Sequence, residues 1–500
     1  MAIVAYIALA DFLLHLYAGG RYGYSLEELY ALICARHPAW GYGARPPLLA
    51  FIARLSVAWF GSSLRAIRVL PAAAAAVTVV LTGLLARELG GRRFAQALAA
   101  LAILLAPGFL AAGGLLAAGA FAVLFWAGCS LVLVRMLRSG NTRLWLLYGL
   151  LAGLGLENRH AMALLVFGTV VALLLVPERR LLASRWFWLG MFLAFLIFLP
   201  NLVWQRAHEL PLLDLLRIPP PAAGTLPSRL DFLVRQLFLL NPLALPIWLG
   251  GLAWCFTRAG KRYRALAWIY LFVLISLLAF RPRPADLLPA YAMLLGAGAV
   301  AAERWLEMRR AAWAWLRPGY VCALVLAGAL LAPTRLPLLP LNTYIHYAES
   351  LHLAPSRPGA PDRARLPRFY ASMFGWRDMV ATIARIYYGL PPGMRAHTAI
   401  FCANYGAASA IDFFGPRYRL PRAICLHGAF YEWGPGKART LSVLSIGVSR
   451  NDLQRTFSWV EPVTVLDNRR TSAWANGPIF YCRGPNVPFR SSWTKLKRWY

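Results

Sequence analysis

A chain of 500 residues that is 59% hydrophobic and only 14% charged carries too little charge for a soluble globular protein, where charged residues make up about 25%. The mean hydropathy of +0.55 and the apolar stretches of about 18 residues that recur along the chain read as a polytopic membrane protein. The net charge of +32 would suggest nucleic acid in a soluble protein, but here the basic residues fall in short loops between apolar spans. No compact basic run with interleaved aromatics is present, so the charge is assigned to lipid headgroups and topology and nucleic-acid binding is excluded.

In chain order, hydropathy and length predict about eleven membrane helices, near 2–18, 66–86, 94–111, 117–135, 144–157, 160–176, 187–203, 233–257, 265–280, 287–303 and 317–333. The first lacks a basic flank and a small-residue cleavage site, so it reads as a retained helix and not a cleaved signal. The pair around 157–160 is short and suits a partly re-entrant segment. Basic residues gather in alternate loops: Arg87, Arg92 and Arg93; Arg135, Arg138 and Arg143; Arg179, Arg180 and Arg185; Arg258, Lys261, Arg262 and Arg264; Arg304, Arg309, Arg310 and Arg317. That face is cytoplasmic by the positive-inside rule. The opposite face receives the longer loops 19–65 and 204–232, the short loop 281–286, and everything after about 335.

Loop 19–65 carries two helical stripes, one through Leu29, Leu32 and Ile33 and one through Leu48, Phe51, Ile52 and Leu55, with Pro46 and Pro47 placed to start the second. Two amphipathic helices on the outer membrane surface fit this pattern. The tail is less apolar. "WRDMVATIARIYYGL" has helical periodicity, and "TAIFCAN", "LSVLSIGVS", "EPVTVLD" and "PIFYCRG" read as strands. "NDLQRTFSWV" reads as a helix capped by Asn451. The expected organisation is a membrane domain over 1–335 and a small extracytoplasmic α/β domain over 336–500. Cysteines form no CxxC pair. Cys129, Cys255 and Cys322 read as packing residues, whereas Cys402, Cys425 and Cys482 could hold one disulfide if the tail is extracytoplasmic.

Charges outside the basic loops carry the chemical information. Glu27 and Glu28 follow the first span. Ser25 three residues before Glu28 matches a capping box, which leaves Glu28 as a cap and Glu27 as a solvated residue. The functional alternative is a carboxylate acting as general base or metal ligand. Arg281, Arg283 and Asp286 occupy a short outer loop, where arginine suits either a lipid phosphate or headgroup anchoring. Arg21, Arg36, His37 and Arg45 are further phosphate-contact candidates. Asp11 and His15, four residues apart, suit a pair along one helix face or a polar relay. Asn158, Arg159 and His160 follow Glu157 as a polar break between short spans. No dense carboxylate cluster calls for a tightly held metal, and a loosely held divalent ion stays open. A transporter would show paired inverted repeats and interrupted midplane helices, and neither is visible.

An acidic pair after the first span, then "AWGY", then a basic residue with Pro-Pro, resembles the multi-spanning glycosyltransferases of the GT-C superfamily. The likeness is to bacterial members of the dolichyl-phosphate-mannose–protein mannosyltransferase group, related to the lipid A aminoarabinose transferase. It continues through "RVLPA", "LIFLPNLVWQ", "NPLALPIWLGGLAW", "LLPAYAMLLGAGAV" and "NYGAASAIDFFGPRYRLPRAI". It implies a multi-pass inner-membrane protein of GT-C fold that takes sugar from a polyprenyl-phosphate donor to a lipid, glycan or protein acceptor at the outer face. It implies Glu27 and Glu28 as catalytic acids, and Arg45, Arg281 and Arg283 as donor-phosphate ligands. The chain departs from the pattern at Ala44 and Arg45, at Gly119 and Ala122, at Arg283–Ala285 and at Ala407, where relatives carry other polar residues. A relative that binds lipid-linked sugar or envelope partners without turnover is the alternative reading.

Overall fold

The computed structural model describes residues 1–213, 229–279, 284–308, 315–351, 366–436, 441–468, 471, 475–486 and 493. Each of the eleven predicted spans coincides with helix. Among the described residues, seven helices are long and apolar enough to cross a membrane, and two bent pairs raise this to nine. The remaining two, Leu144–Asn158 and Met162–Leu174, are apolar but shorter.

The first helix, α1 (Ala2–Gly19), shows how such segments pack. Val4, Ile7, Ala8, Asp11, His15 and Ala18 are buried at helical spacing. The opposite face exposes Tyr6, Leu9, Leu13 and Tyr17. A helix apolar on both faces suits protein on one side and lipid on the other. The helices Ala118–Ser139 and Tyr291–Glu307 bury most of their residues and form the centre of the bundle.

Two predicted spans are broken, and proline sits at each break. Arg93–Leu104 meets Pro107–Gly113 at 67°, and Arg229–Leu240 meets Pro242–Phe256 at 95°. At the second break Asn241 has φ +74 and caps the following turn through the Leu243 N–H. Proline disfavours a helical residue before it and donates no N–H, so an axis can turn sharply there.

In the first long loop, α2 (Leu26–Arg36) and α3 (Leu48–Phe60) form as predicted, but only α3 behaves as a surface helix. It buries Ala50, Ala53 and Ser56 and exposes Phe51, Leu55 and Trp59. Expected on the membrane surface, α2 is instead buried from Glu28 through Cys34. It lies beneath the tail helix Tyr405–Phe414, with the Tyr30 and Tyr405 rings 4.9 Å apart.

The tail contains a five-stranded sheet in the order β2-β1-β3-β5-β4, with β1 (Thr398–Cys402), β2 (Ala423–Cys425), β3 (Ser442–Ile446), β4 (Phe457–Leu466) and β5 (Gly477–Pro485). β1 pairs in parallel with β2 and β3, while β5 runs antiparallel to β3 and β4. The helix expected over "NDLQRTFSWV" ends at Thr456 and is capped by Ser449, not Asn451. Phe457–Val460 belong to β4, where aromatic and β-branched residues suit a pleated surface. Cys402, Cys425 and Cys482 are free and buried, although Cys402 and Cys425 stand opposite each other in the β1–β2 register.

Candidate active site

The two glutamates at the start of α2 have different surroundings. Glu28 is fully buried. Its carboxylate accepts from Arg68 Nε at 2.7 Å and Nη2 at 2.8 Å, from the Ser25 N–H at 2.8 Å and from the Leu116 N–H at 3.1 Å. The Ser25 hydroxyl accepts from the Glu28 N–H, completing the capping box. Arg68 also donates to the Gly19 and Gly23 carbonyls. Every strong acceptor position of Glu28 is therefore filled by the fold, and it ties α1, α2 and the loop before Ala118 together.

Glu27 points the other way and lines a cavity of about 620 Å³. Its side chain remains 42% exposed. Arg45 holds it as a bidentate pair, and Arg45 Nη2 also donates to the Tyr405 hydroxyl at 2.9 Å. The Tyr405 hydroxyl in turn lies 3.4 Å from Glu27 Oε1. The guanidinium stacks 4.8 Å from the Tyr30 ring centroid and 5.1 Å from that of Tyr405. Burial pushes the Tyr405 hydroxyl up to about 12, so it is a neutral donor near pH 7.

The sequence reading offers Arg45 as a phosphate ligand, and the fold pairs it with Glu27. Arg45 is committed to Glu27, and a fork already engaged bidentately has little left for a phosphate. Arg281 and Arg283 lie outside the described residues. The arginines that do line the cavity are Arg159, Arg335 and Arg368. Arg159 is paired with Asp286 at 2.6 Å. Burial holds the Arg335 guanidinium below its ordinary range, against the pull of the nearby Tyr370 and Tyr344. Arg368 is exposed at the rim. Neither Arg335 nor Arg368 was singled out in the sequence, although Arg335 directly follows the last apolar stretch, where a lone charge is informative. Tyr405 was missed as well, because nothing local marks a tyrosine in "NYG" as a partner of Glu27.

The remaining candidates fall elsewhere. Asp11 and His15 lie 3.5 Å apart inside α1, with His15 Nδ1 2.8 Å from the Asp11 carbonyl oxygen and Nε2 3.2 Å from that of Leu110, while Asp11 Oδ2 finds no partner among the described residues. Arg36 donates to the Asp412 carbonyl at 3.1 Å, and His37 packs 4.5 Å from the Trp433 ring. Both belong to the junction with the tail. Asn158 donates to the Ala118 carbonyl, and His160 lies 3.2 Å from Asn201 Oδ1. Among the described residues, no three His, Cys, Asp or Glu side chains converge. Gly119 and Ala122 line the cavity, while Ala407 is buried at the start of the tail helix. The cavity thus offers an accessible carboxylate, a set of guanidinium groups and walls of small apolar residues.

A bundle of apolar helices whose first long loop places Glu27 in a cavity with Arg159, Arg335 and Arg368, and whose tail carries a small sheet, is a polytopic membrane protein with the GT-C fold. Residues 44–204 match the family model described as dolichyl-phosphate-mannose-protein mannosyltransferase, which bears out the resemblance read from the sequence. The fold is similar to that of ArnT from Cupriavidus metallidurans in the apo state, with 14% identity, a TM-score of 0.59, and 99% of this chain and 98% of that chain covered. The ArnT structure bound to undecaprenyl phosphate is similar with 16% identity, a TM-score of 0.58 and the same 99% and 98% coverage. The archaeal oligosaccharyltransferase AglB from Archaeoglobus fulgidus, in complex with an inhibitory peptide and a dolichol-phosphate, follows at 14% identity and a TM-score of 0.50, covering 88% of this chain and 69% of that chain. No curated protein matches the chain by sequence.

Proposed function

We propose that the chain is a membrane glycosyltransferase that moves a sugar from a polyprenyl-phosphate donor to an acceptor hydroxyl at the outer face of the inner membrane. The observation that carries this reading is the placement of Glu27 in one cavity with Arg159, Arg335 and Arg368. The undecaprenyl phosphate held by a protein of the same fold supports it.

In this reading the acceptor O–H gives its proton to the Glu27 carboxylate while its oxygen attacks the anomeric carbon. The bond from that carbon to the phosphate oxygen breaks, and the phosphate leaves with the electron pair. Arg335, Arg368 and Arg159 offset the growing negative charge, which is larger at the transition state than in the bound donor. Arg45 aims the Glu27 carboxylate, while Tyr405 fixes Arg45. The small residues along the cavity leave room for the apolar carrier. Glu28 is assigned a positioning role through Arg68.

The catalytically silent alternative is favoured by Gly119 and Ala122, which offer no polar group to the cavity. Purified protein in proteoliposomes, given a panel of undecaprenyl-phosphate sugars, separates the two. Release of polyprenyl phosphate coupled to sugar transfer supports the enzyme. Binding of undecaprenyl phosphate without turnover on any donor supports the silent relative, and absence of binding removes both.

A further inference from the structure

A second large cavity lies at the arginine-rich end of the bundle and shares no residue with the cavity of Glu27. It is an apolar groove of about 910 Å³ walled by Leu98, Ile247, Gly250, Ala253, Gly298 and Ala301. From Pro246 to Trp254 the groove follows one helix for about 12 Å at the ordinary helical rise. Its mouth is cationic. The Arg304 guanidinium stacks on the Trp254 ring at 5.3 Å, and that of Arg317 on Phe94 at 5.5 Å, with both rings lining the groove.

Neighbouring carboxylates are engaged elsewhere. Glu303 accepts from the Arg92 and Ala95 N–H groups, Glu307 pairs with Arg92, and Glu88 pairs with Arg135 and Arg138. Trp254 is only 6% exposed, yet its indole N–H finds no partner among the described residues. With those carboxylates engaged, the groove offers positive charge beside an apolar slot.

The geometry points to a binding site for an anionic glycerophospholipid from the leaflet on the arginine-rich side. Its acyl chains fill the groove, and its phosphate meets Arg304 and Arg317. Charge complementarity selects the anionic headgroup: a zwitterionic lipid brings its own cation against the two arginines. The site lies apart from the transfer cavity and does not depend on the reaction proposed there.

Native mass spectrometry of the full chain in neutral detergent, with phosphatidylglycerol or phosphatidylcholine added at matched concentration, tests this. The wild type should retain phosphatidylglycerol about thirtyfold better, since both arginines favour the anionic headgroup. The double variant Arg304→Gln, Arg317→Gln should retain both lipids equally. Gly250→Phe should reduce retention of both, because a Cβ at Gly250 meets no heavy atom within 4 Å and a ring there enters the groove. Should Gly250→Phe fail to fold, the arginine variant decides alone. Equal retention by the wild type, or an unchanged preference in the double variant, overturns the proposal. Displacement of phosphatidylglycerol by an equal concentration of undecaprenyl phosphate also overturns it, by giving the groove to the carrier lipid.

Discussion

Adjacent residues on a helix point about 100° apart, and at Glu27 and Glu28 this separates an accessible carboxylate from a buried one. Glu27→Gln keeps the shape but loses the base, and turnover should fall about a hundredfold with undecaprenyl phosphate binding retained. A radiolabelled sugar-transfer assay beside a lipid-binding measurement checks it, and unchanged turnover removes Glu27 from the mechanism. Glu28→Ala leaves Arg68 buried without its carboxylate. Breaking such a pair costs about 3–5 kcal/mol, so the variant should show a lowered Tm or fail to yield folded protein. An undiminished Tm would show that Arg68 finds other anions.

At the scale of elements, α2 acts as the plate between the membrane helices and the tail. Tyr405 reaches Arg45 and Glu27 from the tail side, while Arg36 and His37 engage Asp412 and Trp433. Burial pushes the Asp412 carboxyl up to about 6, although the Ala423 N–H and the nearby Arg422 and Arg36 act against that rise. With a folded value above the unfolded one, the folded state holds the proton between about pH 4 and 6 where the unfolded state has lost it. Stability from this group is present at the acidic end and is lost as pH rises through that window. Asp412→Asn keeps an acceptor for the Ala423 N–H and removes the titration, so the pH dependence of Tm between about 4 and 6 should flatten. A slope identical to that of the wild type would assign the titration elsewhere.

For the whole molecule, the charge distribution predicts sidedness. Gly393, at the exposed edge of the tail, and Ser139, at the end of a span near Arg135 and Arg138, should lie on opposite faces. Gly393→Cys should react with a membrane-impermeant thiol reagent on intact spheroplasts, whereas Ser139→Cys should react only after permeabilisation. The exposed Cys322 is replaced by Ser in both. The reverse pattern would invert the topology and place the transfer cavity inside the cell.

The sequence by itself determined the helical segments, because apolar length and helical spacing are local properties and each of the eleven segments forms helix. It also determined the capping box, which needs only Ser25 and Glu28 within one turn. Tertiary structure decided the rest. Arg68 stands 40 residues from Glu28, and Leu116 stands 88 away. Tyr405 lies 360 residues from Arg45, and Arg335 reaches the cavity from the far end of the last membrane helix. No periodicity links such positions, so the sequence offered Arg45 as a phosphate contact and Glu28 as a cap, with no sign of Arg68 or Leu116 beside it. Packing of distant segments around one cavity is what left Glu27 accessible, filled every acceptor of Glu28, bound Arg45 to Glu27 and brought other arginines to the cavity wall.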